Sequence, residues 1–175
     1  MKKLPFLKIY NVILWIILLT LPAQVESQSQ ATLIYLVRHA EKVDDSQDPP
    51  LSEIGIKRAL LLSIMLRDAE LTHIHSTDLK RTRDTAGPIA LLSGLDVKIY
   101  DPENLEEFAP LLGSTPGRHL VVGHSNTTPK LVRLLGGESS EISDHEYDRL
   151  YILILDPNGE ATSTLIRFGQ SLTGS

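Results

Sequence analysis

The 175-residue chain has no cysteine at all. That excludes disulfide stapling, thiolate catalysis and cysteine-bound zinc, and it leaves the hydrophobic core to hold the fold alone. Positive charge is also short, since 17 Lys and Arg against 22 Asp and Glu give a net charge of −5. A surface of that sign does not attract nucleic acid, so no nucleic-acid partner is expected. There is no internal repeat and no low-complexity linker. What is present is a chain of one-domain length with 42% hydrophobic residues, enough to bury a core.

The first residues read Met1-Lys2-Lys3, then an apolar run from Ile9 to Leu21 broken only by Asn11 and Thr20, then small and polar residues through Gln30. That order is the order of a secretory signal. Small residues mark two cleavage positions, after Ala23 and after Ser27. Residues 1–27 are therefore expected to be a signal peptide, and residues 28–175 a single exported domain, periplasmic or extracellular. The alternative is an uncleaved anchor in the inner membrane, with the run extended back to Leu4, and then the membrane is touched only through this segment. Removing residues 1–27 takes away Lys2, Lys3, Lys8 and Glu26, which moves the net charge from −5 to −7.

Further along, Thr32 to Val37 is continuously apolar and rich in β-branched residues, as expected of a central strand covered on both faces. After a polar loop with Asp44, Asp45, Asp48, Pro49 and Pro50, Ser52 can cap a helix carrying Ile54, Leu61, Ile64 and Met65, in which Gly55 is an odd guest. A strand over Thr72 to Ser76 leads to a helix over Lys80 to Leu92, with Pro88 expected to kink or break it. Val97 to Tyr100 reads as a strand, Asp101 to Glu107 as an acidic loop followed by a Pro/Gly-rich segment, His119 to Gly123 as a buried strand and Thr128 to Leu135 as a helix. Arg149 to Leu155 and Ala161 to Arg167 close the chain as strands around Asp156-Pro-Asn-Gly159, whose Asn-Gly pair favours a tight hairpin turn. Strands alternating with helices predict an α/β fold, a three-layer α/β/α sandwich around a mostly parallel sheet, with ligands bound beyond the carboxyl ends of its strands.

Chemistry-bearing residues fall at those ends. Arg38-His39 follows the first strand and Gly123-His124-Ser125 follows a later one, so two imidazoles can converge at one sheet edge. Arg81 lies where a helix starts after a strand, a place suited to anions because free backbone N–H groups point outward there. His73, His75, His119 and His145 share no metal-ligand spacing and read as strand-edge or surface residues, so no metal is expected. Asp44, Asp45 and Asp48 read as a solvated loop, with Glu41 and Lys42 closer candidates for contact with a ligand.

Leu36-Val-Arg-His-Ala-Glu-Lys42, the segment Ser76 to Ala86 and Val121-Val-Gly-His-Ser125 resemble, in order and spacing, the three signatures of the histidine phosphatase superfamily, the phosphoglycerate mutase-like proteins. The resemblance runs from about Leu33 to Leu155 and implies a phosphoglycerate mutase-like fold and a small phosphorylated substrate. It implies His39 as nucleophile, with Arg38, Arg81 and His124 gripping the phosphoryl oxygens, and neither metal nor cofactor. Family members carry an acidic proton donor in a Leu-x-Glu context, which matches Leu105-Glu106-Glu107 here and points to Glu107, with Glu106, Glu103 and Asp101 as alternatives. The glycine and tryptophan that often follow that glutamate are missing in Phe108-Ala-Pro-Leu-Leu112. Ser125 stands where the phytase and acid phosphatase branch has an aspartate, which argues for the other branch, branch 1.

The chemistry agrees with those roles. A neutral imidazole is a competent nucleophile toward phosphorus and forms a labile adduct, which gives a two-step covalent route to a phosphatase. The transferring group spreads about two negative charges over its oxygens, so the protein's main task is electrostatic holding. Exported relatives include lipopolysaccharide-core heptose phosphatases, so the resemblance makes an envelope glycan phosphate a candidate substrate. The small phosphohistidine phosphatases are comparably compact, and a phosphoramidate substrate needs less help from an acid. A non-catalytic phosphate-binding adaptor on the same fold is the reading from a different class.

Overall fold

The computed structural model describes residues 31–169, so the expected signal segment 1–27 lies outside the described residues. Six strands form one sheet: β1 (Thr32–Arg38), β2 (His73–Ser76), β3 (Val97–Ile99), β4 (Arg118–Gly123), β5 (Arg149–Leu155) and β6 (Ala161–Arg167), in the order β3-β2-β4-β1-β5-β6. The pairs β2–β3, β2–β4 and β1–β4 are parallel, and β5 joins antiparallel to both β1 and β6.

Four helices cover the two faces: α1 (Glu53–Met65) and α2 (Lys80–Ser93) on one, α3 (Leu105–Ser114) and α4 (Thr127–Leu134) on the other. Alternation along the strands makes this possible, because successive side chains point to opposite faces. Ile34, Leu36, Val121, Tyr151 and Leu153 pack with Leu105, Leu112, Leu131 and Val132 under α3 and α4. Val37, Leu120, Val122 and Leu150 pack with Leu62, Leu66, Ala86 and Ile89 under α1 and α2. The expected three-layer sandwich is the observed one. Among the described residues no helix is long and apolar enough to cross a membrane.

Local chemistry explains most boundaries. The Ser52 hydroxyl accepts the Gly55 N–H and caps α1. Gly55 itself is explained by a close approach, since a Cβ there would lie 2.1 Å from the Glu41 carbonyl oxygen. Helix α2 runs through Pro88 without breaking and ends on Gly94 in the left-handed conformation (φ +68°). The expected acidic loop and Pro/Gly-rich segment are corrected. Leu105 to Ser114 is helical despite Pro110, because Leu105, Ala109 and Leu112, spaced for one helical face, are all buried in the core. The lost backbone hydrogen bond of one proline costs less than that burial gains. The final hairpin forms where expected. It closes by a three-residue loop, Pro157 to Gly159, between Asp156 and Glu160, with Gly159 at φ +86° and the Asp156 carboxylate accepting two backbone N–H groups.

Candidate active site

Strands β1 and β4 are neighbours in parallel register, with Arg38 opposite Gly123, so the chain leaves both strands at the same edge. The His39 N–H donates to the Gly123 carbonyl at 2.9 Å, and the two imidazoles end with centroids 5.5 Å apart. Gly123 is needed there: a Cβ would meet the Thr127 and Tyr100 hydroxyls at 2.8 Å. Arg38, His39, Arg81, His124, Lys42 and Glu103 line one cleft of about 480 Å³.

His39 is almost wholly buried, and its Nδ1 lies 2.7 Å from the Ala40 carbonyl. A carbonyl only accepts, so Nδ1 carries the proton and Nε2 keeps its lone pair. Burial pushes the His39 pKa down to about 3, the Ala40 contact opposes that, and the nearby Arg38 charge adds to it. The ring is therefore neutral around pH 7. The next residue is fixed as well, because the Ala40 N–H donates to the Thr85 hydroxyl of α2 at 2.9 Å.

Arg38 bonds the chain through Nη1, which donates to the carbonyls of Ser143, Asp144 and Glu146 at 2.8, 3.0 and 3.1 Å. Arg81 donates from Nη1 to the Gln47 carbonyl at 3.4 Å. Among the described residues, the buried side-chain polar atoms with no partner are the Nε of Arg38 and the Nε of Arg81. A buried donor left unpaired costs about 1–3 kcal/mol. Both arginines line the cleft, and an anion there is the kind of partner a guanidinium N–H takes.

His124 bonds the Thr77 hydroxyl through Nε2 at 2.9 Å. The Thr82 hydroxyl donates to the Leu79 carbonyl at 2.8 Å, so the Thr77 hydroxyl gives its proton to Thr82 and receives that of His124. Burial, followed by Arg81 and Arg38, lowers the His124 pKa to about 4.

The expected proton donor is displaced. Glu107 lies on α3 and lines a separate cavity of about 680 Å³ with Asp101, His73, His75 and His119. Glu106 pairs with Lys130 at 2.7 Å on the surface. Of the four acidic candidates, Glu103 is the one that lines the cleft. The folding of α3 causes this, since a helix from Leu105 turns Glu107 away from the cleft beyond β1 and β4.

Other expectations are also corrected. Glu41 does not face the cleft but pairs with the buried Arg58 at 2.6 Å. Lys42, by contrast, lines the cleft as expected, and it pairs with Asp45 at 2.5 Å. Asp48 is more than a solvated loop residue, because its carboxylate accepts the Lys80 N–H at 2.7 Å and caps α2. His119 is fully buried and bonds His75 at 3.2 Å and the Thr115 carbonyl at 2.9 Å, so these two are not surface histidines, whereas His145 is exposed as expected. Sequence reasoning missed Thr77 and Tyr147. Thr77 lies inside the Ser76 to Ala86 segment that also carries Arg81, whereas nothing in the pattern around Tyr147 singles it out.

The profile of the histidine phosphatase superfamily (branch 1) matches residues 34–110. "Probable phosphoglycerate mutase GpmB" of Yersinia pestis (strain Pestoides F) is 34% identical over 120 residues, 65% of this chain and 54% of that protein. The chain thus spans about half the length of the curated relatives it matches. Among solved structures, the protein histidine phosphatase SixA complexed with tungstate aligns with a TM-score of 0.64 at 16% identity, covering 77% of this chain and 96% of that one. Mycobacterial glucosyl-3-phosphoglycerate phosphatase aligns with a TM-score of 0.60 at 15% identity, covering 79% and 99%.

Proposed function

From the premise that this chain belongs to the histidine phosphatase superfamily, branch 1, we propose that it is a metal-independent phosphatase working through a phosphohistidine on His39. The observation that carries this reading is the meeting, in one cleft, of a neutral imidazole with a free Nε2 and two buried, unpartnered guanidinium Nε–H groups.

In the first step the Nε2 lone pair forms a bond to phosphorus while the bond to the leaving oxygen breaks. The departing oxygen takes a proton from Glu103 or from water. In the second step water attacks phosphorus and gives a proton back to Glu103 or to solvent, the N–P bond breaks, and His39 regains its lone pair as inorganic phosphate leaves. The guanidiniums of Arg38 and Arg81 meet the charge on the phosphoryl oxygens throughout. His124 would meet an oxygen in its doubly protonated form, and the charge of the bound anion favours that form, opposing the effect of the two arginines.

The substrate is a small phosphomonoester, with an envelope glycan phosphate as the candidate that fits an exported enzyme. Export rests on residues 1–27 alone, and the N-terminal residue of the mature protein, read by mass spectrometry, tests it. The test of activity is hydrolysis of para-nitrophenyl phosphate by residues 28–175 with and without chelator, beside His39→Ala. Turnover that resists the chelator and vanishes in His39→Ala is expected, and turnover that persists in His39→Ala would refute the covalent route.

One observation favours a second reading, phosphohistidine as substrate. Glu107 lines the other cavity, and Glu103 is an exposed residue at the cleft. A phosphoramidate leaves readily once its own nitrogen is protonated, so it asks little of such a group. A higher kcat/KM on a phosphohistidine peptide than on alkyl phosphates would select it.

A further inference from the structure

We propose that Tyr147 is a positioning residue that, with the backbone of residues 143–146, aims the Arg38 guanidinium at the phosphoryl group. This rests on the phosphatase reading of the cleft. The Tyr147 ring lies under the guanidinium, with the Arg38 Cζ 4.1 Å from its centroid, and the same ring is tilted 56° against His39 at 6.0 Å. One nitrogen, Nη1, donates to three backbone carbonyls of that loop, those of Ser143, Asp144 and Glu146. The plane is thus fixed by the ring and the rotation about it by the carbonyls. What remains for a ligand is the Nε–Nη2 edge, the side of the fork that can bond two oxygens at once.

The loop is itself tied down. The Glu146 carboxylate accepts the Ser143 N–H at 2.9 Å and pairs with Arg149 at 2.8 Å and Arg167 at 2.9 Å, on β5 and β6. Those bonds hold the Glu146 pKa down to about 2, so the carboxylate is ionised and the tie is made near pH 7. Tyr147 is partly exposed, and the aromatic and cation–π contacts of its ring among the described residues are with both members of the Arg38-His39 pair.

Tungstate binding, followed by calorimetry, and para-nitrophenyl phosphate turnover test the proposal together. Tyr147→Leu should weaken tungstate binding and raise KM by about tenfold, the size of a desolvated guanidinium–ring contact, with a smaller change in kcat. Tyr147→Phe should restore both. In the Arg38→Lys background Tyr147→Leu should cost less than in the wild type, because the two act as a unit. If Tyr147→Leu does not fold, Glu146→Gln carries the test, and it should weaken tungstate binding in the same direction. Unchanged tungstate affinity in the folded variants, or additive losses with Arg38→Lys, would overturn the proposal. So would a Tyr147→Phe as poor as Tyr147→Leu, which would assign the role to the phenol hydroxyl. His39→Ala keeps the two readings apart: if it retains turnover the covalent phosphatase route fails, while tungstate affinity still reports on the holder of Arg38.

Discussion

Replacing Arg38 by lysine keeps the charge and removes the shape, so it isolates what the geometry contributes. The ammonium is compact and can stay with the carbonyls of Ser143, Asp144 and Glu146 or reach the phosphoryl oxygens, but it cannot do both. Two bonds from the Nε–Nη2 edge to charged oxygens are then lost. At about 1.5–3 kcal/mol each they sum to about 3–6 kcal/mol. That predicts a fall in kcat/KM of about 10²- to 10⁴-fold. Stability should move less, by about 1–2 kcal/mol, since the loop keeps its ties through Glu146 and an ammonium still meets part of the carbonyl group. The assay is steady-state hydrolysis of para-nitrophenyl phosphate near pH 7 in the presence of chelator, with a thermal melt and tungstate calorimetry on the same preparation. A folded Arg38→Lys enzyme within about threefold of wild-type kcat/KM would refute the reasoning. It would mean that charge alone, and not the fork, meets the phosphoryl group.

The remaining predictions concern the acid, the fold and pH. Glu107→Gln should leave para-nitrophenyl phosphate turnover within about twofold of wild type, whereas Glu103→Gln should lower kcat on alkyl phosphates by about tenfold or more, measured as initial rates against leaving groups of rising basicity. Gly55→Ala should destabilise the domain by about 3 kcal/mol in urea unfolding, because the added Cβ meets the Glu41 carbonyl oxygen at 2.1 Å and helix propensity recovers only about 1 kcal/mol. Stability should fall on the acid side of pH 6.5. His39 and His75 are held down to about 3, and His119 and His124 to about 4, all chiefly by burial. Above 6.5 both folded and unfolded chains have these rings neutral. Below it the unfolded chain takes up protons that the folded one refuses, and the loss continues until the folded pKa values near 4 and 3 are reached. Melting temperatures that stay flat from pH 7 to pH 4.5 would contradict that assignment.

The strand ends that carry Arg38-His39 and Gly123-His124 were legible because each follows an unbroken apolar run, and an α/β sequence pattern directs such ends to one edge of a parallel sheet. The cap at Ser52 and the helix start near Arg81 were legible for similar reasons, since they depend on a few neighbouring residues. The acid was not legible. Whether Glu107 or Glu103 faces the cleft depends on where α3 begins, and that was decided by burying Leu105, Ala109 and Leu112 against the sheet in spite of Pro110. The need for glycine at position 55 comes from Glu41 packed against it, and the bond between His75 and His119 comes from the pairing of β2 with β4, neither of which is a local feature. Tyr147 and the carbonyls beside it reach Arg38 across more than a hundred residues of chain. Which groups are candidates for the chemistry is legible from residue type and from the strand ends that carry them. How those groups are aimed is settled by contacts between segments that no local pattern links, so it is legible in the folded chain alone.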